Sequence, residues 1–228
     1  LKKNNHKKWV DQFKNLDDQE KQASKKRWSE NGGKIHMDQV VALLSKKTKG
    51  QAVIVSDVGQ NQMFAARYYD FRVANGYITS GGLGTMGFAV PAAIGVKIGV
   101  PEKMVIAIAG DGGFQMTIQE LGTIMQEKLP IKILLLNNEY LGMVRQWQQL
   151  FFEKRYSFTK LDNPDFIAIS KAYKISAEKI EKIELLDQAL DKFIKNKGPC
   201  LLEVKVVKED NIFPMVPTGA SVADVRLK

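Results

Sequence analysis

Two short, mostly apolar runs, each stopped by residues that a strand interior rarely holds, constrain this chain more than any other feature. Residues 104–109 run into Gly110-Asp111-Gly112, and residues 131–136 run into Asn137-Asn138. Strands that are apolar on both faces belong inside a parallel sheet covered by helices. Between them, Phe114, Ile118, Leu121, Ile124 and Met125 recur at the spacing of a helix with one buried face, over residues 114–126. A strand–helix–strand crossover sets its two strands parallel. Asp111 and Asn138, 27 positions apart, then reach the same carboxyl edge of the sheet, where open α/β folds bind ligands. A carboxylate and an amide oxygen are hard donors of the kind magnesium prefers, with the remaining positions left to water and substrate phosphates. The flanking glycines let backbone approach a diphosphate closely. The pair reads as a magnesium–diphosphate site.

The rest of the pattern extends the same architecture. Val40, Val41, Leu43 and Leu44 mark a helix, and residues 52–56 a strand. Helices are expected over 60–69, 91–98, most of 138–152 and 185–194, with another opened by Pro164. A last strand is expected over 200–207. Strands alternating with helices predict an α/β fold: a doubly wound, mostly parallel sheet with helices on both faces. Ahead of it, Trp9, Val10 and Phe13 give a short helical stripe, followed by polar sequence up to the breaker Asn31-Gly32-Gly33. The chain begins with Leu1, and residues 1–33 read as a linker leaving an upstream domain, with the regular domain over 34–228.

Composition removes several function classes. No apolar stretch approaches the roughly 20 residues that span a bilayer, and the lysine-rich amino end lacks the apolar core of a signal peptide. The net charge of +9 invites a nucleic-acid reading, but residues 1–35 carry ten Lys/Arg against five Asp/Glu, and the remainder 24 against 20. The lysines are spread out, without the aromatic interleaving of a base-stacking surface. A solvated basic segment is the expectation, with no nucleic-acid or membrane partner. The single Cys200 cannot form an internal disulfide, which fits a reducing compartment, cytoplasm or an organellar matrix. It follows Gly198-Pro199 at the start of a strand and reads as a buried structural thiol. His6 and His36 lie in polar sequence with no partner at ligand or triad spacing, so both are expected on the surface.

Other motifs admit two readings each. Gly82-x-Gly84-x-x-Gly87 matches the dinucleotide pattern literally, but no clear strand precedes its first glycine. Asp111 lies roughly where a ribose-binding acid could fall, yet glycines flank it and Asn138 pairs with it, so a nicotinamide site is set aside. Gly59-Gln60-Asn61 follow a buried strand and open a helix, where free N–H groups attract phosphate. Gly112 and Gly113 serve either close backbone approach or a simple turn. Met143 and Trp147 are four apart on one helix face, as a core stripe or a pocket wall. Glu120 and Glu139 are expected on solvated helix faces, without a catalytic role. Pro214 to Ala220 are too irregular for the sheet and form a loose terminus or a lid.

The run Gly110-Asp-Gly112, a spacer, then Asn137-Asn138 resembles the thiamine diphosphate fingerprint. Asp57-Val-Gly-Gln-Asn-Gln-Met63, Gly81-Gly-Leu-Gly-Thr-Met-Gly87, Gly142-Met-Val-Arg-Gln-Trp-Gln148 and Pro214-Met-Val-Pro-Thr-Gly-Ala220 follow in the order of the acetohydroxyacid synthase (acetolactate synthase) family. From about residue 35 onward the chain is similar to the carboxyl-terminal, diphosphate-binding domain of that family's large subunit. The resemblance implies magnesium held by Asp111, Asn138 and the Tyr140 carbonyl. It implies cofactor contacts from Gly59, Gln60 and Asn61 at the terminal phosphate, from the Gly84 carbonyl at the aminopyrimidine, and from Gly110, Gly112 and Gly113. Met86 would wedge under the cofactor and hold it bent. The family pattern has histidine where Asn61 stands and tryptophan where Phe64 stands, which puts the Asn61 phosphate contact in question. Met143 and Trp147 would line the substrate entrance, with the tryptophan favouring 2-oxobutyrate over pyruvate as acceptor, and residues 208–228 would form a lid.

The implied reaction is condensation of pyruvate with pyruvate or 2-oxobutyrate, giving 2-acetolactate or 2-aceto-2-hydroxybutyrate for branched-chain amino-acid biosynthesis. The family draws its activating glutamate from a pyrimidine-binding domain across a subunit interface, so this chain alone is expected to be inactive. FAD on a middle domain, a homodimer or tetramer, and a regulatory small subunit are implied for the complete enzyme. Three rivals stand beside this reading, one of them a dehydrogenase that would bind a nicotinamide cofactor and ignore magnesium. Other thiamine diphosphate decarboxylases or carboligases share the Gly-Asp-Gly and Asn-Asn elements but not the combined Gly84-Thr-Met-Gly87, Gln146-Trp147 and Pro214-Met-Val-Pro217 blocks. A cofactor-binding module without activity of its own is the third.

Overall fold

Each central strand divides its side chains between two apolar layers, and this division builds the core. On β3 (Val105–Gly110), Ile106 and Ile108 enter one layer, whereas Val105, Ala107 and Ala109 enter the other. On β4 (Lys132–Asn137), Leu134 and Leu136 face the first layer and Ile133 and Leu135 the second. Neither face meets water, which is why these strands read as nearly continuous apolar runs. The computed structural model describes residues 5–30, 32–221 and 223–226. Asn31 of the expected breaker lies outside them, as do residues 1–4 of the expected linker and residues 222, 227 and 228 of the expected lid.

Four further strands complete the sheet among the described residues: β1 (Val53–Ser56), β2 (Tyr77–Thr79), β5 (Ser176–Ile180) and β6 (Cys200–Lys205). The order is β2-β1-β3-β4-β6-β5, and every pairing is parallel. Helices α2 (Met37–Thr48), α3 (Gln60–Tyr68) and α9 (Ile183–Lys195) cover the first layer. The second is covered by α4 (Ala89–Gly99), α5 (Asp111–Met116), α6 (Leu121–Gln126) and α8 (Phe166–Ala172). The expected doubly wound sheet with helices on both faces is the fold observed. Cys200 opens β6, is buried, and burial pushes its thiol up to about 11, so it is an inert packing group.

Several elements differ from expectation, each for a local reason. The helix expected over 114–126 is broken at Thr117, whose hydroxyl donates to the Gly87 carbonyl at 2.9 Å and whose backbone leaves helical geometry. Glu120 therefore ends a 3-10 turn. The helix expected from residue 138 starts later, as α7 (Gly142–Phe151), because two side-chain turns intervene. Asn137 Oδ1 accepts from the Glu139 N–H and Asn138 Oδ1 from the Tyr140 N–H, both at 3.0 Å. Glu139 is consequently not helical; it takes a φ of 61° and pairs with Lys205. Pro164 precedes α8, and Asp165 caps it, accepting from the Ile167 and Ala168 N–H groups. The sheet edges β2 and β5 went unexpected: one is three residues long, and the other is a Lys- and Glu-bearing strand that escapes an apolar pattern by blunting its edge.

The amino-terminal segment is more ordered than a short stripe. A 23-residue helix, α1 (Lys7–Ser29), runs through it. It docks through polar side chains: Arg27 and Trp28 reach Asp38, while Glu20 meets Arg67 and the Tyr68 hydroxyl. Trp9, Phe13 and Leu16 remain exposed. No helix among the described residues is long and apolar enough to cross a membrane.

Candidate cofactor-binding site

From β1 the chain moves outward to β2, then returns past β1 to β3 and on to β4. This reversal opens a crevice beyond the carboxyl ends of β1 and β3, the switch point at which open α/β sheets take their ligands. A cleft of about 300 Å³ lies there. It is lined by the turn after β1, the loop after β2, the start of α5 and the turn between β4 and α7. Gly59, Gln60, Asn61, Gly84, Met86, Gly110, Asp111, Gly112, Gly113, Asn138, Tyr140 and Met143 all face it. Trp147 is not in that lining; it packs on Phe151 with ring centroids 4.9 Å apart. A larger cavity, about 800 Å³, separates α1 from the sheet's carboxyl edge. Its walls mix Lys26, Arg27 and Lys205 with Glu30, Glu181 and Glu209, so no single ligand charge is selected there.

Asp111 is the one carboxylate among the described residues lining the cleft. Burial pushes its carboxyl up to about 6, opposed by the Asn163 amide and by nearby backbone N–H groups of Asp111, Glu139 and Asn138. Asn163 Nδ2 donates to Asp111 Oδ2 at 2.7 Å. A buried carboxylate beside an amide oxygen and a turn carbonyl is a hard oxygen donor set. Asn138 Oδ1 keeps a second lone pair beyond its bond to the Tyr140 N–H. The donors present fit a magnesium ion.

The cradle around this set is built by close backbone packing. Asp57, directly after β1, is buried and accepts from the Val58, Gly87 and Ala89 N–H groups at 2.8–3.0 Å. It thereby ties the loop bearing Gly84 and Met86 to the end of β1. A Cβ on Gly113 would overlap Asp57 Oδ1, so α5 can pass this close only with glycine there. Gly84 takes a φ of 64°, the left-handed region that a side chain disfavours. Asp57 follows a buried strand just as Asp111 does, so a signal for it was present in the sequence.

Gln60 lines the cleft, and its Oε1 accepts from Asn138 Nδ2 at 3.5 Å. Its Nε2 is taken by Gln146 Oε1 and by the Asp210 carbonyl, both at 3.0 Å. Asn61 Nδ2 donates to the Ile108 carbonyl at 3.3 Å through one of its two N–H groups. Gln146 also bonds both backbone groups of Ile212, fixing the carboxyl-terminal segment against α7. Asp210 accepts from His36 Nδ1 at 3.0 Å and from the Met37 N–H at 3.1 Å.

His36 therefore corrects the expectation of a surface residue: it is buried, 9% exposed, and its partner lies 174 residues away. His36, Asp38 and Asp210 lie close together, but Arg27, Trp28 and the Met37 and Gln39 N–H groups already bond the two carboxylates. The trio is a polar knot joining α1, α2 and the tail. Asn163 and Asp210 carried no local signal, since each acts only through partners distant in the chain.

A parallel sheet whose switch point gathers a buried carboxylate, an amide oxygen and glycine-lined turns defines a domain built for a diphosphate cofactor. Residues 57–204 match the family described as "Thiamine pyrophosphate enzyme, C-terminal TPP binding domain", and the chain belongs to that family. It is 45% identical over 196 residues to the acetolactate synthase isozyme 2 large subunit of Escherichia coli (strain K12), covering 86% of this chain and 36% of that protein. It is 47% identical over 192 residues to the mitochondrial acetolactate synthase catalytic subunit of Saccharomyces cerevisiae, covering 83% and 28%. To the acetolactate synthase large subunit of Corynebacterium glutamicum it is 44% identical over 225 residues, covering 96% and 35%. The chain thus spans roughly a third of the length of these relatives.

Proposed function

We propose that this chain is the cofactor-binding part of an acetolactate-forming enzyme. The observation that carries the reading is the gathering of the expected cofactor contacts into one cleft at the sheet's switch point. Asp111, Asn138 and the Tyr140 carbonyl would hold magnesium, which would offset the charge of a bound diphosphate. Gly59, Gln60 and Asn61 approach the phosphates, Gly110, Gly112 and Gly113 keep the backbone close, and Gly84 and Met86 face the ring system. Thiamine diphosphate, when bound, supplies the electron sink for decarboxylation of a 2-oxoacid. Met143 and Trp147 contribute to the substrate entrance, and residues 208–228 act as a lid that limits water. Residues 34–228 form the functional unit, and residues 1–33 connect it to the domains that precede it.

This reading makes the active site a shared one. Asp111 is the cleft's one described carboxylate, and the family resemblance implies that the glutamate activating the aminopyrimidine comes from a pyrimidine-binding domain. FAD, a homodimer or tetramer, and a regulatory small subunit belong to the complete enzyme, in cytoplasm or an organellar matrix. Pyruvate and 2-oxobutyrate are the substrates.

A chimera tests the proposal. Residues 34–228 replace the matching segment of the Escherichia coli isozyme 2 large subunit, and acetolactate formation from pyruvate is measured beside the isolated chain. Turnover by the chimera and none by the chain is expected. A folded chimera that binds thiamine diphosphate yet makes no acetolactate would reject the carboligase reading and favour a cofactor-binding module or a different thiamine diphosphate enzyme. Trp147→Leu in an active chimera, given both acceptors in competition, should lower the share of 2-aceto-2-hydroxybutyrate by a contact worth roughly 1–3 kcal/mol.

A further inference from the structure

We propose that Asn163 is a positioning residue for the magnesium site, setting the orientation of the Asp111 carboxylate through one half-buried amide. The inference rests on the reading of Asp111 and Asn138 as metal ligands. Asn163 Nδ2 donates to Asp111 Oδ2 at 2.7 Å and to Asn137 Oδ1 at 3.2 Å. Its Oδ1 accepts from Gln115 Nε2 at 2.8 Å. The direction of this amide is determined by its neighbours. A carboxylate without a proton can only accept, and Asn137 Oδ1 already accepts from the Glu139 N–H. The NH₂ group must face these two oxygens, which turns Oδ1 toward Gln115.

The network has an anchor at each end. Asn137 Nδ2 donates to the buried Glu203 Oε1 on β6 at 2.7 Å. Asp111 begins α5, the helix that also carries Gln115. One continuous series, Glu203–Asn137–Asn163–Asp111, therefore links the carboxyl ends of β6, β4 and β3. It gives Asn137, the first residue of the Asn-Asn pair, a role distinct from that of Asn138: it bonds the positioning amide, and Asn138 faces the cleft.

The loop that delivers Asn163 is held by its own backbone. The Leu141 N–H donates to the Thr159 carbonyl and the Leu161 N–H to the Glu139 carbonyl, both at 2.8 Å, with Tyr140 and Lys160 bridged between them. The loop thus pairs with the turn that holds Asn138 and the Tyr140 carbonyl. Truncating the Asn163 side chain removes the amide while this pairing remains, so positioning and folding can be separated. Outer partners of metal-bound groups commonly alter metal affinity by roughly 10–100-fold when removed.

The test is a magnesium titration of this chain at fixed thiamine diphosphate, on wild type, Asp111→Ala, Asn163→Ala and Gln115→Ala, with urea midpoints measured alongside. Magnesium-dependent binding that Asp111→Ala abolishes establishes the metal site independently of Asn163. Within it, Asn163→Ala should weaken magnesium roughly 10–100-fold at an unchanged urea midpoint, and with Mn²⁺ as probe the electron paramagnetic resonance line shape should change. Gln115→Ala, which frees the amide to turn, should give a smaller loss of several-fold, and it carries the test should Asn163→Ala not fold. Magnesium affinity within twofold of wild type in the folded variants would overturn the role of Asn163 and leave the metal site standing. Wild-type binding indifferent to magnesium would overturn both.

Discussion

The side-chain amide of Gln146 makes both backbone hydrogen bonds of Ile212, accepting from its N–H at 3.0 Å and donating to its carbonyl at 3.2 Å. The same Gln146 oxygen accepts from Gln60 Nε2 at 3.0 Å. One buried side chain thus joins α7, the cleft wall and the carboxyl-terminal segment, which has no sheet neighbour to satisfy it. Gln146→Leu leaves the Ile212 amide without its partner, a loss of roughly 1–3 kcal/mol for an orphaned buried group. Limited proteolysis should then cut within residues 208–226 faster than in wild type. An unchanged cleavage rate there would mean that other contacts hold the segment.

Asp57 stabilises the cradle by accepting three backbone N–H groups. Asp57→Ala should lower unfolding free energy by roughly 2–6 kcal/mol, since the two buried donors it strands, the Gly87 and Ala89 N–H groups, cost about 1–3 kcal/mol each. Gly113→Ala should also destabilise, because its Cβ meets Asp57 Oδ1. The two losses share one oxygen, so they should not add: Gly113→Ala costs less once Asp57 is alanine. Urea unfolding of both single variants and the double variant measures this, and strict additivity would contradict the packing described.

Asp111 makes the chain without its cofactor sensitive to pH in a specific sense. Its carboxyl is raised from 3.8 to about 6, chiefly by burial. The folded state therefore keeps a proton that the unfolded state releases, and stability falls as pH rises from about 4 to about 6. Two units correspond to roughly 3 kcal/mol at most. Asp111→Asn keeps an oxygen for the Asn163 amide and removes the buried charge. At pH 7.5 it should raise the stability of the cofactor-free chain by roughly 1–3 kcal/mol, and the gain should vanish near pH 4. A variant no more stable than wild type at pH 7.5 would show that the carboxylate carries no burial strain.

Legibility in the sequence followed what each residue depends on. The inner strands β3 and β4 were readable because burial on both faces leaves a direct apolar record. The edges were not: β5 sets Ser176 and the adjacent Glu178 and Lys179 beside only Ala177 and Ile180, a composition set by solvent on the sheet's rim. Asp111, Asn138 and the glycines could be placed because they stand at strand ends, where sequence position and spatial position coincide. His36 was misjudged because its partner Asp210 lies across the fold, and Asn163 gave no sign because it acts through Asp111, 52 residues away. The break at Thr117 likewise arises from a contact with Gly87 that no helical periodicity records.

The central claim, that the cleft beyond β1, β3 and β4 takes thiamine diphosphate through magnesium, is tested most directly by calorimetric titration of this chain with thiamine diphosphate. The titration is run with magnesium and again with chelator, on wild type and on Asp111→Ala. Binding that requires magnesium and disappears in Asp111→Ala is the predicted result. A folded wild-type chain that binds equally well in chelator, or an Asp111→Ala variant that binds as wild type does, would contradict it.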